Sequence, residues 1–477
     1  MRSILPLCLL LLAACSSTGV EDVVVTPRSE FAPERAGLTR EPVILIPGIL
    51  GSRLFNSVTG EIAWGNLSAV ISDLEDDLAL PINRDRLADN RDDIQAYRVL
   101  DRAEILLKEG SGEVRFYAEL IDFLSSTLGY RPAFGKRFYR GHDLFVFFYD
   151  WRRSNVEAAM QLAQFIRDIK RDLGKPDMKF TFVAVSNGGL VARYYLRHGG
   201  RDVVSNKPLE EPMVPTFAGV KDVNRLICLG TPHRGTVDAL HLIHDGYAPN
   251  VLARRYPPAT VFSFPSAFEL LPEPGEPVFV GPGGETLPID LWDPADWKRY
   301  GLSVYAKGER ARLRSEIIQN IQPREDRDAL FAQRTAEQDA YLSRVLTHAR
   351  RFRASIEGLP EVPTEVIIGA TTPTLSRVGM VHDVGDDDDE YELWFRPRFA
   401  WGRFDPMADA IFALGDGVVT RRSAMGLFLP QSNAAAQKRG EEFRRALDGR
   451  VVTSFQHRTM FEDELLRLAL AETLTRP

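Results

Sequence analysis

Short, unbroken apolar runs recur along the chain, and the stretches between them carry apolar residues at helical spacing. The runs are PVILIPG (42–48), LFVFFYDW (144–151), KFTFVAVS (179–186), NRLICLG (224–230) and TEVIIGA (364–370). A strand with one wet face would alternate polar and apolar residues; these do not, so they predict strands buried on both faces of a parallel sheet. Ser154-Asn155-Val156-Glu157 has the spacing of a capping box. Leu162, Phe165, Ile166, Ile169 and Leu173 then share one helical face, and Gly174 supplies a stop. VVTSF (451–455) reads as a late strand, and Phe461 to Leu474 as an amphipathic closing helix. The alternation predicts an α/β doubly wound architecture, a mostly parallel sheet with helices on both faces.

Two intervals break the rhythm. Residues 52–140 and 237–360 are too long for simple crossovers, so both are expected to be insertions above the sheet. The second, with charged helical stretches from Glu309 to Ile356 and the aromatic, proline-rich segments FSFPSAFELLP and DLWDPADW, is the expected cap. The acidic run Asp386 to Glu390 reads as a solvated hairpin tip, with a calcium site as the alternative.

The N-terminus belongs to another category. Met1 and Arg2 precede an apolar stretch from Ile4 to Leu12 that is shorter than the ~20 residues needed to span a bilayer. Leu12-Ala13-Ala14-Cys15 resembles the lipobox of bacterial lipoproteins. Residues 1–14 are therefore expected to be a signal peptide, and Cys15 the lipidated first residue of a polar tether through residue 40. Residues 41–477 would form the folded domain. Ser16 after the cysteine resembles the outer-membrane sorting pattern, so the expected location is the bacterial cell envelope, anchored in the outer membrane. If Cys8 leaves and Cys15 is acylated, only Cys228 remains, and no internal disulfide can form. A net charge of −7 gives no reason to expect a nucleic-acid partner.

Candidate chemistry centres on VAVSNGGL (183–190), in which a strand-forming run ends in Ala184-Val185-Ser186-Asn187-Gly188. A small residue on each side of a serine, between strand and helix, is the pattern of a nucleophile elbow. A serine hydroxyl needs a histidine to take its proton and a carboxylate to fix that histidine's tautomer, and in such folds the order is Ser, Asp, His. Asp416 in LGDGVVT and His457 in SFQHRTM follow in that order, and both are expected in strand-end loops. The oxyanion would be met by the backbone N–H of Asn187 and by one from the loop Pro47–Gly51, for which Ile49 is the choice. Leu50 and His233, in GTPHRG, are candidate pocket residues, His233 in a structural or wall role rather than a proton-transfer role.

Taken together, PVILIPGILGSRL, IAWGNL, FYDWRRS, VAVSNGGL, ICLGTPHRGTV, GDGVV and the late histidine resemble the lecithin:cholesterol acyltransferase and lysosomal phospholipase A2 family. The motifs run in the family's order from residue 42 to 457. The resemblance implies an α/β-hydrolase that removes an acyl chain from a glycerophospholipid and passes it to water or an alcohol. It implies that Ser186 is the nucleophile, Asp416 the orienting acid, His457 the base, and Ile49 and Asn187 the oxyanion positions. Asp150-Trp151-Arg152 matches a family motif taken as mainly structural, with Trp151 a candidate pocket residue. The family commonly has histidine before the nucleophile; this chain has Val185. No metal or organic cofactor is implied. The expected partners are a lipid or other acyl ester and the membrane. The alternative function is a catalytically silent lipoprotein that binds a lipid or partner on the same fold.

Overall fold

The computed structural model describes residues 40–65, 78–107, 110–205, 207–248, 255–320, 325–383, 390–396, 406–426 and 450–475. The expected signal segment, Cys15 and the expected tether before residue 40 lie outside the described residues, as do Asp386 to Asp389.

Seven parallel strands make the central sheet: β1 (Val43–Ile46), β2 (Pro132–Phe134), β3 (Leu144–Val146), β4 (Phe180–Val185), β5 (Val223–Leu229), β6 (Thr364–Gly369) and β7 (Arg450–Thr453). Their spatial order is β7-β6-β5-β4-β1-β3-β2. The chain lays down β1, runs to the sheet edge for β2, returns inward to lay β3 against β1, then crosses to the other side for β4 to β7. The reversal falls between β1 and β4, the place where open α/β sheets bind ligands beyond the strand ends. Those two strands are in direct register, Ile44 beside Phe182 and Ile46 beside Ala184.

Every residue of β1 and β4 is buried, which is why neither run alternates. Ile44, Ile46, Phe180, Phe182 and Ala184 join the core beneath α2 (Asn155–Leu173) and α3 (Gly188–His198). Val43, Leu45, Val183 and Val185 join a second core on the opposite face, with α1 (Tyr117–Asp122) and the closing helix α5 (Glu464–Thr475). The α2 helix begins at Ser154, whose hydroxyl accepts from the Val156 N–H at 3.1 Å. The capping box is only half realised. Glu157 does not reach back to Ser154 but turns to the Arg153 guanidinium, with both contacts at 2.8 Å. Gly174 ends the helix in the left-handed region at φ 65°.

The first long interval is not wholly an insertion, because its residues 132–134 form β2 at the sheet edge. Before that it holds a three-stranded antiparallel sheet (Ser52–Asn56, Ile62–Trp64, Ile94–Val99) and a hairpin (Arg102–Leu107 with Gly110–Arg115). Arg152 fastens it down. Its fully buried guanidinium is met by Asp150, by both oxygens of Asp92 at 2.7 and 3.0 Å, and by the Leu78 carbonyl. The second interval is mostly helical and is dominated by α4 (Glu325–Ser355), which buries Tyr341, Val345, Ala349 and Phe352 along one face. Among the described residues no helix is long and apolar enough to cross a membrane.

Candidate active site

Beyond the end of β4 the backbone turns sharply, and Ser186 takes φ 52°, a left-handed conformation costly for a residue with a side chain. The doubled glycine explains how the turn closes. A Cβ on Gly188 would lie 2.4 Å from the Ile46 carbonyl oxygen and 2.7 Å from that of Pro47; one on Gly189 would strike Thr231. The turn is thus pressed against the end of β1, and only hydrogen fits. Gly188→Ala is expected to lower stability by about 3 kcal/mol, since rigid backbone must give way. Thermal unfolding checks this, and an unchanged midpoint would contradict it.

His457 stands in the loop after β7, and its Nε2 lies 2.9 Å from Ser186 Oγ. Its Nδ1 lies 2.7 Å from Asp416 Oδ2. Asp416 arrives by an indirect route. It caps a two-stranded antiparallel ribbon, Thr372–Leu375 with Phe412–Gly415, that stands apart from the central sheet between β6 and β7. The free oxygen of its carboxylate, Oδ1, accepts the N–H groups of Val418 at 3.0 Å and Val419 at 2.7 Å. The Asp416 carbonyl in turn accepts the His457 N–H at 2.8 Å. Burial works to lower the pKa of His457. The Asp416 carboxylate, through charge and hydrogen bond, outweighs it, and the net displacement is upward. Ser186 is 9% exposed and Asp416 2%, so the serine keeps slight access to solvent while the aspartate is closed off.

The loop after β1 abuts the serine: a Cβ on Gly48 would come within 2.9 Å of Ser186 Cβ. Gly48 gives its own N–H to the Tyr117 hydroxyl at 2.7 Å. Neither Ile49 nor Asn187 donates its N–H to a backbone carbonyl among the described residues. Leu50, at φ 63°, turns the chain, and its carbonyl accepts from Trp64 Nε1 at 3.0 Å. Trp151 is buried and donates to the Ser52 carbonyl at 3.0 Å, so its indole braces the foot of this loop. His233 is buried with its Nδ1 3.3 Å from the Arg193 guanidinium, and its carbonyl accepts from Arg353. Burial drives its pKa well down, and the two guanidinium groups add to that. A neutral imidazole wedged between cations is a bracing element between α3 and α4.

Several contributors carry no sequence signal of their own. The Tyr149 hydroxyl donates to the Pro47 carbonyl at 2.9 Å and receives the Asn187 side-chain amide at 3.2 Å. That amide also pairs with the Asn155 side chain through two hydrogen bonds, of 2.7 and 2.9 Å. Asn155 then gives its backbone N–H to Glu269 at 2.7 Å, and Glu269 lies 2.8 Å from His348 on α4. One buried hydrogen-bonded chain therefore runs from the cap helix to the residue after the serine and on to the first loop. Asn155 reads in the sequence only as part of a cap, and Glu269 and His348 only as parts of an insertion. Among the described residues no group of three or more histidine, cysteine, aspartate or glutamate side chains is placed to hold a metal ion.

The profile of the lecithin:cholesterol acyltransferase family matches residues 93–330. No curated protein matches the sequence. A chain of the solved Tle4–Tli4 complex is similar in structure at a TM-score of 0.50 and 15% identity, over 91% of this chain and 97% of that one, a likeness of fold. Taken with the α/β-hydrolase fold, the family match carries the conclusion: the chain belongs to the lecithin:cholesterol acyltransferase family, and its activity is of the lipid acyl-ester hydrolase or acyltransferase kind.

Proposed function

We propose that the protein is a serine esterase that acts on lipid acyl esters through an acyl-enzyme on Ser186. The carrying observation is the unbroken line from Ser186 Oγ to His457 Nε2 at 2.9 Å and from His457 Nδ1 to Asp416 at 2.7 Å. With Nδ1–H donated to Asp416, the neutral imidazole presents a lone pair at Nε2. As Oγ attacks the ester carbonyl carbon, its proton moves to Nε2. The N–H groups of Ile49 and Asn187 receive the negative oxygen, a contribution of ~3–4 kcal/mol per donor. The intermediate collapses when Nε2 returns the proton to the leaving alcohol, and the acyl chain stays on Ser186. Water or a second alcohol then repeats the sequence in reverse. Hydrolysis and transfer differ only in that acceptor.

A fluorophosphonate probe tests the reading. It is expected to label Ser186 in folded protein, and failure to label would favour a lipid-binding protein without catalysis. In this proposal acylated Cys15 tethers the enzyme to the outer membrane, next to its substrate.

The amide pair Asn155–Asn187 sets where the Asn187 N–H points. Asn155→Leu is expected to lower kcat about tenfold or more with little change in KM, since a displaced donor loses part of a term worth 10²–10³ in rate. Steady-state kinetics on a soluble ester give the answer; an unchanged kcat would remove Asn155 from this role.

A further inference from the structure

Among the described residues a cavity of about 390 Å³ lies against α4, and none of Ser186, Asp416, His457 or the loop Pro47–Gly51 lines it. Arg344, His348 and Arg351 line it from α4, Lys207 from the segment beyond α3, and Asp85 and Leu87 from the first insertion. Spacings of four and then three residues put the three α4 side chains on one face of the helix. Arg351 is fully buried. Its guanidinium donates to the carbonyls of Val203 and Glu211 at 3.1 Å each, of Val204 at 3.2 Å, and of Pro208. Carbonyls satisfy those donors without cancelling the charge, and among the described residues no carboxylate pairs with it. Arg344, half-buried, gives one N–H to the Ile82 carbonyl at 2.9 Å and is likewise without an acid. Lys207 is paired with Glu211, and the exposed Asp85 is the one acid in the lining.

Anchoring explains part of this, since Arg351 ties the segment 203–211 to α4. It does not explain Arg344 beside it, or why the space before the two cations stays open. Close-packed interiors leave few voids larger than a water molecule, and this one has the size of a small-molecule site. Paired guanidinium groups match the oxygens of a phosphate, whose charge would offset theirs. The neighbouring hydroxyls point to the rest of the ligand. Ser343 and Thr347, which also line the cavity, give their protons to the carbonyls of Asp339 and Ser343 at 3.1 and 2.8 Å. Their lone pairs are left to accept, as are those of Asp85, which suits a ligand with hydroxyl groups. The lining also leads to the active site. His348 is 5% exposed, its Nε2 lies 2.8 Å from Glu269, and Glu269 takes the N–H of Asn155, whose side chain holds that of Asn187.

We infer that this cavity is an effector site for a small phosphate ester held by Arg344 and Arg351, whose binding steadies His348 and, through it, the Asn187 donor. The effector role rests on the esterase reading; the site does not. Calorimetric titration of the full chain carrying Ser186→Ala measures binding of glycerol 3-phosphate without turnover. Saturable binding is expected, weaker for inorganic phosphate and absent for glycerol. Arg344→Gln should weaken it about tenfold or more, the loss expected for a charged hydrogen bond. Arg334→Gln, which removes an exposed cation from the same helix outside the cavity, should alter it less than twofold. Thr347→Trp, which fills the cavity and spares both guanidinium groups, should also abolish binding and serves if Arg344→Gln fails to fold. Short-chain phosphatidylglycerol, dispersed as monomers, displaces the free ester if a lipid headgroup is the natural occupant and leaves it bound if a free ester is.

No saturable binding of either phosphate compound, or equal losses in Arg344→Gln and Arg334→Gln, would overturn the site. In the parent, saturating glycerol 3-phosphate should raise kcat on a soluble nitrophenyl ester about twofold or more with KM unchanged, and should have no effect in Arg344→Gln. Binding with kcat unmoved would overturn the effector role. A parent inactive on every ester, with binding intact, would sink the esterase reading and leave the site standing.

Discussion

Ser186→Ala is expected to abolish turnover of a soluble ester, lowering kcat by about 10⁶-fold, the scale seen when a serine hydrolase loses its nucleophile. The fold should survive. The hydroxyl contributes one hydrogen bond, to His457, and the backbone at position 186 is held by its neighbours: its N–H donates to the Leu229 carbonyl at 2.8 Å, and the glycines after it leave room for the turn. Alanine bears the same Cβ, so the positive φ costs about what serine already tolerates. Single-turnover kinetics and circular dichroism together check this. Residual activity within tenfold of the parent, in protein that unfolds at the parental temperature, would remove Ser186 from the chemistry.

Asp416→Asn is the second large effect, a fall in kcat of about 10⁴-fold, because an amide facing Nδ1 lets the imidazole settle in the wrong tautomer. It should also move the pH profile. In the parent the histidine works only when neutral, so the rate rises as pH climbs through its pKa. Burial opposes the proton and Asp416 favours it, and the balance lies above the ordinary imidazole value. Removing the carboxylate leaves burial as the main influence, so the acid limb should move to lower pH while its plateau collapses. A kcat/KM profile across that limb reads both changes; a limb displaced upward, or not displaced, would contradict the arrangement.

What the sequence makes legible follows from burial. Six of the seven strands overlap apolar runs because strands covered on both faces have no polar positions to hide them. β2 escapes because it is three residues long, begins with proline and lies at the edge, where apolar content is not required. The residues that meet at the switch point are readable from chain order and from their places at strand ends. The ribbon that delivers Asp416 is not, since its two strands are four residues each and lie far apart in the chain, with two strands of another small sheet, Val378–Asp383 and Glu390–Trp394, between them. The hydrogen-bonded chain through Tyr149, Asn155, Glu269 and His348 is invisible for another reason. Its members lie up to 199 positions apart, and each alone has an ordinary structural explanation. Glu157 shows the converse: a good local signal loses its residue to a better partner, the Arg153 guanidinium.

The attachment of His457 has a mechanical result. One aspartate grips it twice, its ring through the carboxylate and its main chain through the carbonyl, while the hydroxyl waits on the far side of the imidazole. A histidine held at both ring and main chain resists swinging toward solvent and turning its ring over. The shuttling proton is left a single track, and any loosening of the ribbon would derail acid and base as one body.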